Sequence, residues 1–304
     1  MASSGKRIPP GLSKDQPVGD AMTEIGIDRD SALARYEAKR RLGLRRRNLS
    51  DLTIFFFVAA LIIWGVLRGA GSMHYNWQWY RVPRYFYRVI DDELIWGPLV
   101  HGLIVTLQIT LWAAILAFSI GLVVALLRLS RSFSGRWLSA IYLEAIRNTP
   151  LLVQMYLFYF VLSPILGIER FWTGVLCLAF FEASFISEII RSGILSVPKQ
   201  QWEAAASLGL KGHATYLKVV LPQAVPLMLP PLTSSLVNLV KASAIVSTIA
   251  VFDLTNEGRT VIADTFMTFE IWLTVAAMYL VLTISLSAIA AGMERRARQS
   301  WRTR

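Results

Sequence analysis

The sequence predicts an all-α membrane protein with six transmembrane helices, and three observations support this fold class. Hydrophobic residues make up 55% of the 304 residues, and charged residues make up only 17%. The apolar residues are concentrated in runs near the length of about 20 residues that crosses a hydrocarbon core of roughly 30 Å as a helix. Basic residues are concentrated between alternate runs, which is typical of multi-pass membrane proteins.

Five of the predicted spans are clear apolar runs. They lie near residues 52–68, 101–127, 151–167, 171–190 and 271–292. The sixth, 231–251, contains Lys241, and we expect its helix to begin at Pro230–Pro231 because proline is favoured in a first turn. Asn148 and Pro150 are expected to open the third span as its N-cap and first-turn residues.

The distribution of Lys and Arg predicts that both termini are cytoplasmic. With six spans, most of the 31 basic residues fall on the cytoplasmic side of the membrane. The net charge of +11 then belongs to flanks that face anionic lipid. We therefore expect membrane lipid as a partner and no nucleic acid.

The predicted organisation has a core between flanking segments. In chain order these are a cytoplasmic tail, a first span, an aromatic external segment, a core with five spans and a basic cytoplasmic tail, with bounds 1–50, 51–68, 69–97, 98–292 and 293–304. The aromatic residues of the external segment indicate an interfacial belt. A docking surface for an external partner is the alternative.

The sequence contains no motif for chemistry. It lacks the phosphate-binding loop GxxxxGK[ST], the zinc motif HExxH and the nucleophile motif GxSxG. Its three histidines lie in separate segments without metal-ligand spacing, and its single cysteine, Cys177, lies in a span. We therefore expect no catalytic residue, no metal and no cofactor, and any energy source must belong to another protein.

The segment 196–222 is too polar for a span and too regular for a plain loop. Ser196 and Pro198 predict the start of a helix over Lys199–Leu208, and Gly209 predicts its end. A second short helix, 214–221, is expected to end at the following proline. The three consecutive alanines before Gly209 would give a surface that a groove on another protein can approach closely, although a solvated connector is the alternative.

Residues 203–222 read EAAASLGLKGHATYLKVVLP, and this stretch resembles the EAA loop of permease subunits in bacterial ABC importers. The positions that would couple to the ATPase are Glu203, Ala204, Ala205, Ala206, Gly209, Leu210, Leu221 and Pro222. Other segments resemble the polar amino acid branch of that family, namely GLIVTLQITL at 102–111, RNTPLLVQ at 147–154, EIIRSG at 188–193 and LVNLVKAS at 236–243. The resemblance covers about residues 98–292, and it departs at Ala242, where that branch often has an acidic residue.

The resemblance implies a type I ABC importer permease-like core, preceded by one extra N-terminal span, in the bacterial inner membrane. In such importers two permease subunits, identical or paralogous, form the pathway above an ABC ATPase dimer. A periplasmic binding protein delivers the amino acid substrate. The EAA loop docks into a groove on the ATPase, so this chain would transmit work without doing chemistry.

Two ionisable residues, Glu182 and Lys241, fall near the middle of predicted spans. A charge at the bilayer centre costs about 2.5–3.5 kcal/mol on insertion scales, so such residues usually face the interior of a bundle. Together with Ser243 and Gln154 they are candidates for the translocation path. The alternative for Glu182 and Lys241 is a structural ion pair that holds two helices together.

An ion-coupled secondary transporter or channel for small polar solutes is the alternative function. Hydropathy and charged residues within spans are compatible with either. The EAA spacing favours the ABC importer, as does the absence of a detectable repeat between the two halves of the chain. A membrane scaffold without transport does not account for Glu182 and Lys241.

Overall fold

The computed structural model describes residues 52–65, 68–69, 71, 75–90 and 92–302. The chain divides into two compact units, Met1–Asn76 and Trp77–Arg304. The predicted tail 1–50 lies outside the described residues. In the first unit, helix α1 (Leu52–Gly65) is apolar and carries exposed aromatic and aliphatic side chains. Its 14 described residues span only about 21 Å, so the extra N-terminal span stays a prediction.

The second unit begins with a 3₁₀ turn and a β-hairpin. The turn, Trp79–Tyr85, leads into strands β1 (Tyr87–Ile90) and β2 (Glu93–Trp96), which pair antiparallel. Asp92 turns the chain between them with a φ of 60°. Hydropathy did not predict this hairpin, because its strands are too short and too polar to stand out beside the apolar runs.

Eight helices follow the hairpin. They are α2 (Pro98–Leu129), α3 (Phe133–Arg147), α4 (Leu151–Leu166), α5 (Arg170–Leu195), α6 (Lys199–Ser207), α7 (Gly212–Ile249), α8 (Leu254–Thr265) and α9 (Thr268–Arg302). Helices α2, α5, α7 and α9 are long and apolar enough to cross a membrane. The bent pair α3–α4 makes a fifth crossing if it is one span. The described residues thus give four or five spans, and the count of six stays a prediction.

Helices α2 and α5 pack through small residues. Ala113, Ala117, Gly121 and Ala125 recur every fourth position on α2 and are buried. A Cβ atom at Gly121 would lie 2.8 Å from the Cγ2 atom of Ile186, so the glycine is required for this approach. Small residues at such spacing let membrane helices pack closely where no hydrophobic force brings them together.

Helix α7 replaces the two helices that were expected between 212 and 251. The predicted stop at Pro222 and the predicted start at Pro230–Pro231 are both wrong, because one helix runs through these prolines. A π-helical turn, Tyr216–Val220, lies directly before Pro222. Membrane helices tolerate proline because such local adjustments and neighbouring helices satisfy the backbone groups that proline leaves free.

The segment between the second and third predicted spans contains α3, and the chain bends by 107° between α3 and α4. Asn148 is not the N-cap of the next helix, as expected, but ends α3, and its side-chain amide donates to the Glu144 carbonyl at 2.8 Å. The N-cap of α4 is Pro150. Proline disfavours helical geometry at the residue before it, which explains why the helix breaks here.

Candidate functional site

The short helix α6 occupies the predicted place between two membrane-crossing helices. Its N-cap is Pro198 and not Ser196, whose hydroxyl donates to the Gly193 carbonyl at 2.7 Å and so closes the end of α5. The helix ends before Gly209, which has a φ of 70°. This left-handed conformation favours glycine, so the predicted stop at Gly209 is confirmed.

One face of α6 packs against the first turns of α7. The Trp202 and Tyr216 rings meet edge to face with centroids 5.1 Å apart. Ala205 lies in this packed face and is only 2% exposed. Three residues of the predicted coupling set that follow α6 are half-buried, namely Leu210, Leu221 and Pro222. A displacement of α6 would therefore be passed to a helix that is long enough to cross the membrane.

The other face of α6 is exposed and carries Glu203, Ala204 and Ala206. The expected surface of three alanines is therefore wrong for Ala205, which is buried within the chain. Successive helical residues are about 100° apart around the axis, so three in a row cannot all face one partner. Just after the helix, Leu208 is 80% exposed. Nothing in the sequence distinguishes this leucine from the other apolar residues, so its exposure was not predicted.

The break between α3 and α4 is held by Gln154. Its Nε2 atom donates to the Ile146 carbonyl at 2.7 Å, to the Thr149 carbonyl at 3.0 Å and to the Thr149 hydroxyl at 2.7 Å. The side chain is 4% exposed, and its Oε1 atom is buried without a hydrogen-bond partner among the described residues. The structure therefore places Gln154 at the bend, where it satisfies backbone carbonyls that the broken helix leaves free.

A cavity of about 410 Å³ beside this break carries charges of both signs. Its polar and charged lining residues are Arg147, Glu182, Glu188, Ser235 and Asn238. Glu182 is 5% exposed, and its carboxylate lies beside the Ser235 hydroxyl. The guanidinium of Arg147 donates to the Ser184 carbonyl. This cavity offers a small polar molecule both a cation and carboxylates next to a break in a helix.

Lys241 lines a second cavity, of about 300 Å³, between α7 and α9. Its side chain is exposed on this chain, and it lies nearer the C-terminal end of α7 than its middle. Across the same cavity, the Thr233 hydroxyl donates to the Glu294 carboxylate at 2.7 Å. Asn238 lines both cavities, so they adjoin across α7.

The expected alternative of an ion pair between Glu182 and Lys241 is wrong. Within the described part of the chain, the ion pairs are those that Glu188 forms with Arg128 and, at 3.1 Å, with Arg191. Glu182 lines one cavity and Lys241 lines the other, and Asn238 lines both.

Ser243, the last predicted path residue, lies in the packed interior. It begins the closing 3₁₀ turn of α7, Ser243–Ile249, and it is fully buried. Its hydroxyl donates to the Val240 carbonyl at 2.7 Å, so its hydrogen bond is made within its own helix.

A buried polar network follows the C-terminal end of α7 and was missed by the sequence analysis. Asp253 is fully buried, and its carboxylate accepts from the backbone N–H groups of Asn256 at 3.0 Å and Thr255 at 3.3 Å and from the Tyr279 hydroxyl at 3.3 Å. The Thr106 hydroxyl accepts from the backbone N–H of Leu254 at 3.0 Å. Burial raises the pKa of Asp253, although these hydrogen bonds act in the opposite direction. The network joins α8 to α2 and α9, and aspartate is a residue type favoured at helix N-caps, which is the signal that could have found it.

Comparisons with known proteins identify relatives of this chain. The family described as binding-protein-dependent transport system inner membrane component matches residues 117–299. The probable glutamine ABC transporter permease protein GlnM of Bacillus subtilis is 39% identical over 197 residues, which are 63% of this chain and 91% of that protein. The glutamine transport system permease protein GlnP of Escherichia coli is 36% identical over 214 residues, 68% of this chain and 97% of that protein.

Two solved structures resemble the same region. A crystal structure of an amino acid ABC transporter with histidines matches with a TM-score of 0.62 and 37% identity, covering 66% of this chain and 94% of that chain. The inward-facing MetNI methionine ABC transporter, 23% identical with a TM-score of 0.59, shows the shared fold alone and covers 66% of this chain and 96% of that chain. Residues 117–299 include α6, the break before α4 and both cavities. Since the family matches more than half of the sequence, this chain belongs to the inner membrane components of binding-protein-dependent transport systems.

Proposed function

We propose that this chain is the permease subunit of an ATP-driven ABC importer for polar amino acids. Its relatives include glutamine permeases of two bacteria, and a similar structure is an amino acid ABC transporter. In this proposal an ABC ATPase dimer, a second permease subunit and a periplasmic binding protein complete the importer. Both termini lie on the cytoplasmic side of the inner membrane, on the ATPase side.

The observation that carries the proposal is the two-faced helix α6. Its packed face, with Trp202 and Ala205, is fixed to the start of α7, and its exposed face, with Ala204 and Leu208, is open to a partner. The exposed face carries small side chains that a partner can approach closely, and Leu208, which is 80% exposed beside them, is accessible to the same partner. In the importer, α6 is the coupling helix, and closure of the ATPase dimer moves α7 as a rigid body.

Reconstitution tests this function directly. The chain is placed in proteoliposomes with a candidate ABC ATPase subunit and a candidate amino acid binding protein from the same organism, and ATP hydrolysis and uptake are measured with glutamine and other polar amino acids. We expect a polar amino acid and its binding protein together to stimulate hydrolysis and uptake. Uptake that an ion gradient drives without any ATPase would contradict the proposal and favour the ion-coupled carrier.

The translocation path in this proposal passes the two cavities that adjoin at Asn238. An amino acid carries a carboxylate and an ammonium group, and these cavities offer Lys241 on one side and Glu182 with Arg147 on the other. Opposite charges near a helix break are typical of transport sites in membrane proteins. Gln154 and Ser243 support the path through the bend and the packing of α7.

Replacement of Lys241 by methionine tests whether this residue acts in the translocation path or only stabilises the fold. Because Lys241 is exposed and has no ion-pair partner among the described residues, its loss leaves no buried carboxylate unpaired. We expect uptake to fall about tenfold or more, since a charged hydrogen bond contributes roughly 1.5–3 kcal/mol, while thermal stability is unchanged. Lys241→Arg, which keeps the charge, should retain part of the uptake. Normal uptake by Lys241→Met at equal expression would remove Lys241 from the path.

A further inference from the structure

An apolar groove of about 640 Å³ lies between α2, α5 and α7, apart from the two cavities of the proposed path. Its walls include Leu122, Leu126, Ile194 and Val225, and no Asp, Glu, Lys or Arg lines it. Much of this wall is exposed on the chain, as Leu126 at 51% and Val225 at 43% show. A groove of this kind in a membrane protein requires an apolar occupant.

The groove has the depth of one membrane leaflet. On α2 its lining runs from Phe118 to Leu129, a rise of about 16 Å, which is close to half of a hydrocarbon core of roughly 30 Å. Its polar residues lie at one end, where Ser130 follows the last residue of α2 and His213 lies in the first turn of α7. This end therefore corresponds to a membrane surface, on the side that carries α6.

Exposed basic residues adjoin the lining residues of that end in the sequence. Arg131 adjoins Ser130, Lys211 directly precedes α7, and Lys218 lies about two turns further on, all exposed. The sequence segments 127–137 and 209–221 contain no aspartate or glutamate. The rim of the groove is therefore positive, and its interior is uncharged.

We propose that this groove binds an acyl chain of an anionic phospholipid, whose phosphate headgroup contacts Arg131 and Lys211. The acyl chain fits the uncharged interior, and the phosphate matches the positive rim. Basic residues near the membrane surface attract anionic lipid with about 1 kcal/mol each. A second copy of this chain would not need the positive rim, and a zwitterionic lipid would leave its charge unmatched.

The rim is tested with the purified importer complex and added phosphatidylglycerol or phosphatidylcholine, with bound lipid counted by native mass spectrometry. The double variant Arg131→Gln/Lys211→Gln should bind phosphatidylglycerol roughly thirtyfold more weakly, which is the sum of two charges at about 1 kcal/mol each. Arg259→Gln, an exposed arginine on α8 beyond the other end of α7, is the matched control and should bind normally. Equal binding of the two lipids by the unchanged complex would overturn the proposal.

The interior is tested by filling it. Val225→Trp should lose most of its retained phosphatidylglycerol, whereas Leu280→Trp, at an exposed position on α9 away from the groove, should lose none. A disulfide between two copies through Val225→Cys, in a Cys177→Ser background, would assign the groove to a permease–permease contact and overturn the proposal. Lipid binding is measured without substrate or ATP, so its failure and the failure of the transport function are distinguishable.

Discussion

Tryptophan at Ala204 is expected to separate the ATPase from an intact permease, whereas tryptophan at Ala205 is expected to destabilise the permease itself. Ala204 is exposed, so a large side chain there clashes only with a docking partner. Ala205 is 2% exposed within the chain, and overpacking of a tight site costs about 1–3 kcal/mol. The pair therefore distinguishes docking from internal packing on adjacent residues of one helix.

The measurements are co-purification of the ATPase, substrate-stimulated ATP hydrolysis and the thermal unfolding temperature of each variant. Ala204→Trp should lose ATPase co-purification and stimulated hydrolysis but keep its unfolding temperature. Ala205→Trp should have a lower unfolding temperature. Glu203→Ala should change each only slightly, because an exposed ion pair is worth about 0.2–1 kcal/mol. If Ala204→Trp retained both the ATPase and full stimulation, α6 would be a connector and its resemblance to a coupling helix a coincidence.

Replacement of Gln154 by leucine is expected to release the bend between α3 and α4. The leucine keeps the approximate size of the side chain but removes the amide that donates to two backbone carbonyls and one hydroxyl. We expect the free energy of unfolding to fall by about 1–3 kcal/mol in all, because the Ile146 and Thr149 carbonyls both lose this donor. Uptake should fall with it, because Arg147 and its cavity adjoin the same break.

Gln223→Leu is the matched control for this variant. Gln223 also donates from its amide, to the Val219 carbonyl at 2.8 Å in the π turn and to the exposed Gln201 side chain at 3.5 Å, but it is half-buried and α7 continues through this position. Its replacement should lower the thermal unfolding temperature far less. Similar losses in both variants would show that Gln154 makes an ordinary hydrogen bond and has no special part in the bend.

The sequence predicted the features that depend on neighbouring residues. The helix α6 and its stop at Gly209 follow from local signals, namely a proline start and a glycine that adopts a positive φ. The family spacing also pointed to the segment that folds as α6. It did not reveal that Ala205 is buried, because the burial depends on Tyr216 and the start of α7, whose packing on α6 is a tertiary contact.

The course of α7 and the surroundings of Glu182 and Lys241 could not be predicted from neighbouring residues, because they depend on tertiary packing. Pro222 and Pro230 were expected to bound helices, yet α7 runs through both, since packing and a π turn outweigh the local preference. Glu182 and Lys241 were recognised from their depth in apolar runs, but sequence distance could not show that they face different cavities. The hydrogen bonds of Gln154 at the bend were likewise not predicted, because two of its three acceptors are backbone carbonyls, which any sequence would supply.

Because α7 is one continuous helix that is long enough to cross the bilayer, a movement at one of its ends also moves the other. Its 38 residues are about 57 Å long, so a tilt of about 10° at one end would displace the other by roughly 10 Å. Closure of the ATPase would move the end of α7 near α6. The other end, near Asp253, would move α8, α2 and α9 with it through their shared hydrogen bonds. Opening on one side and closing on the other would then be two ends of a single motion, with no separate signal needed to keep them in phase.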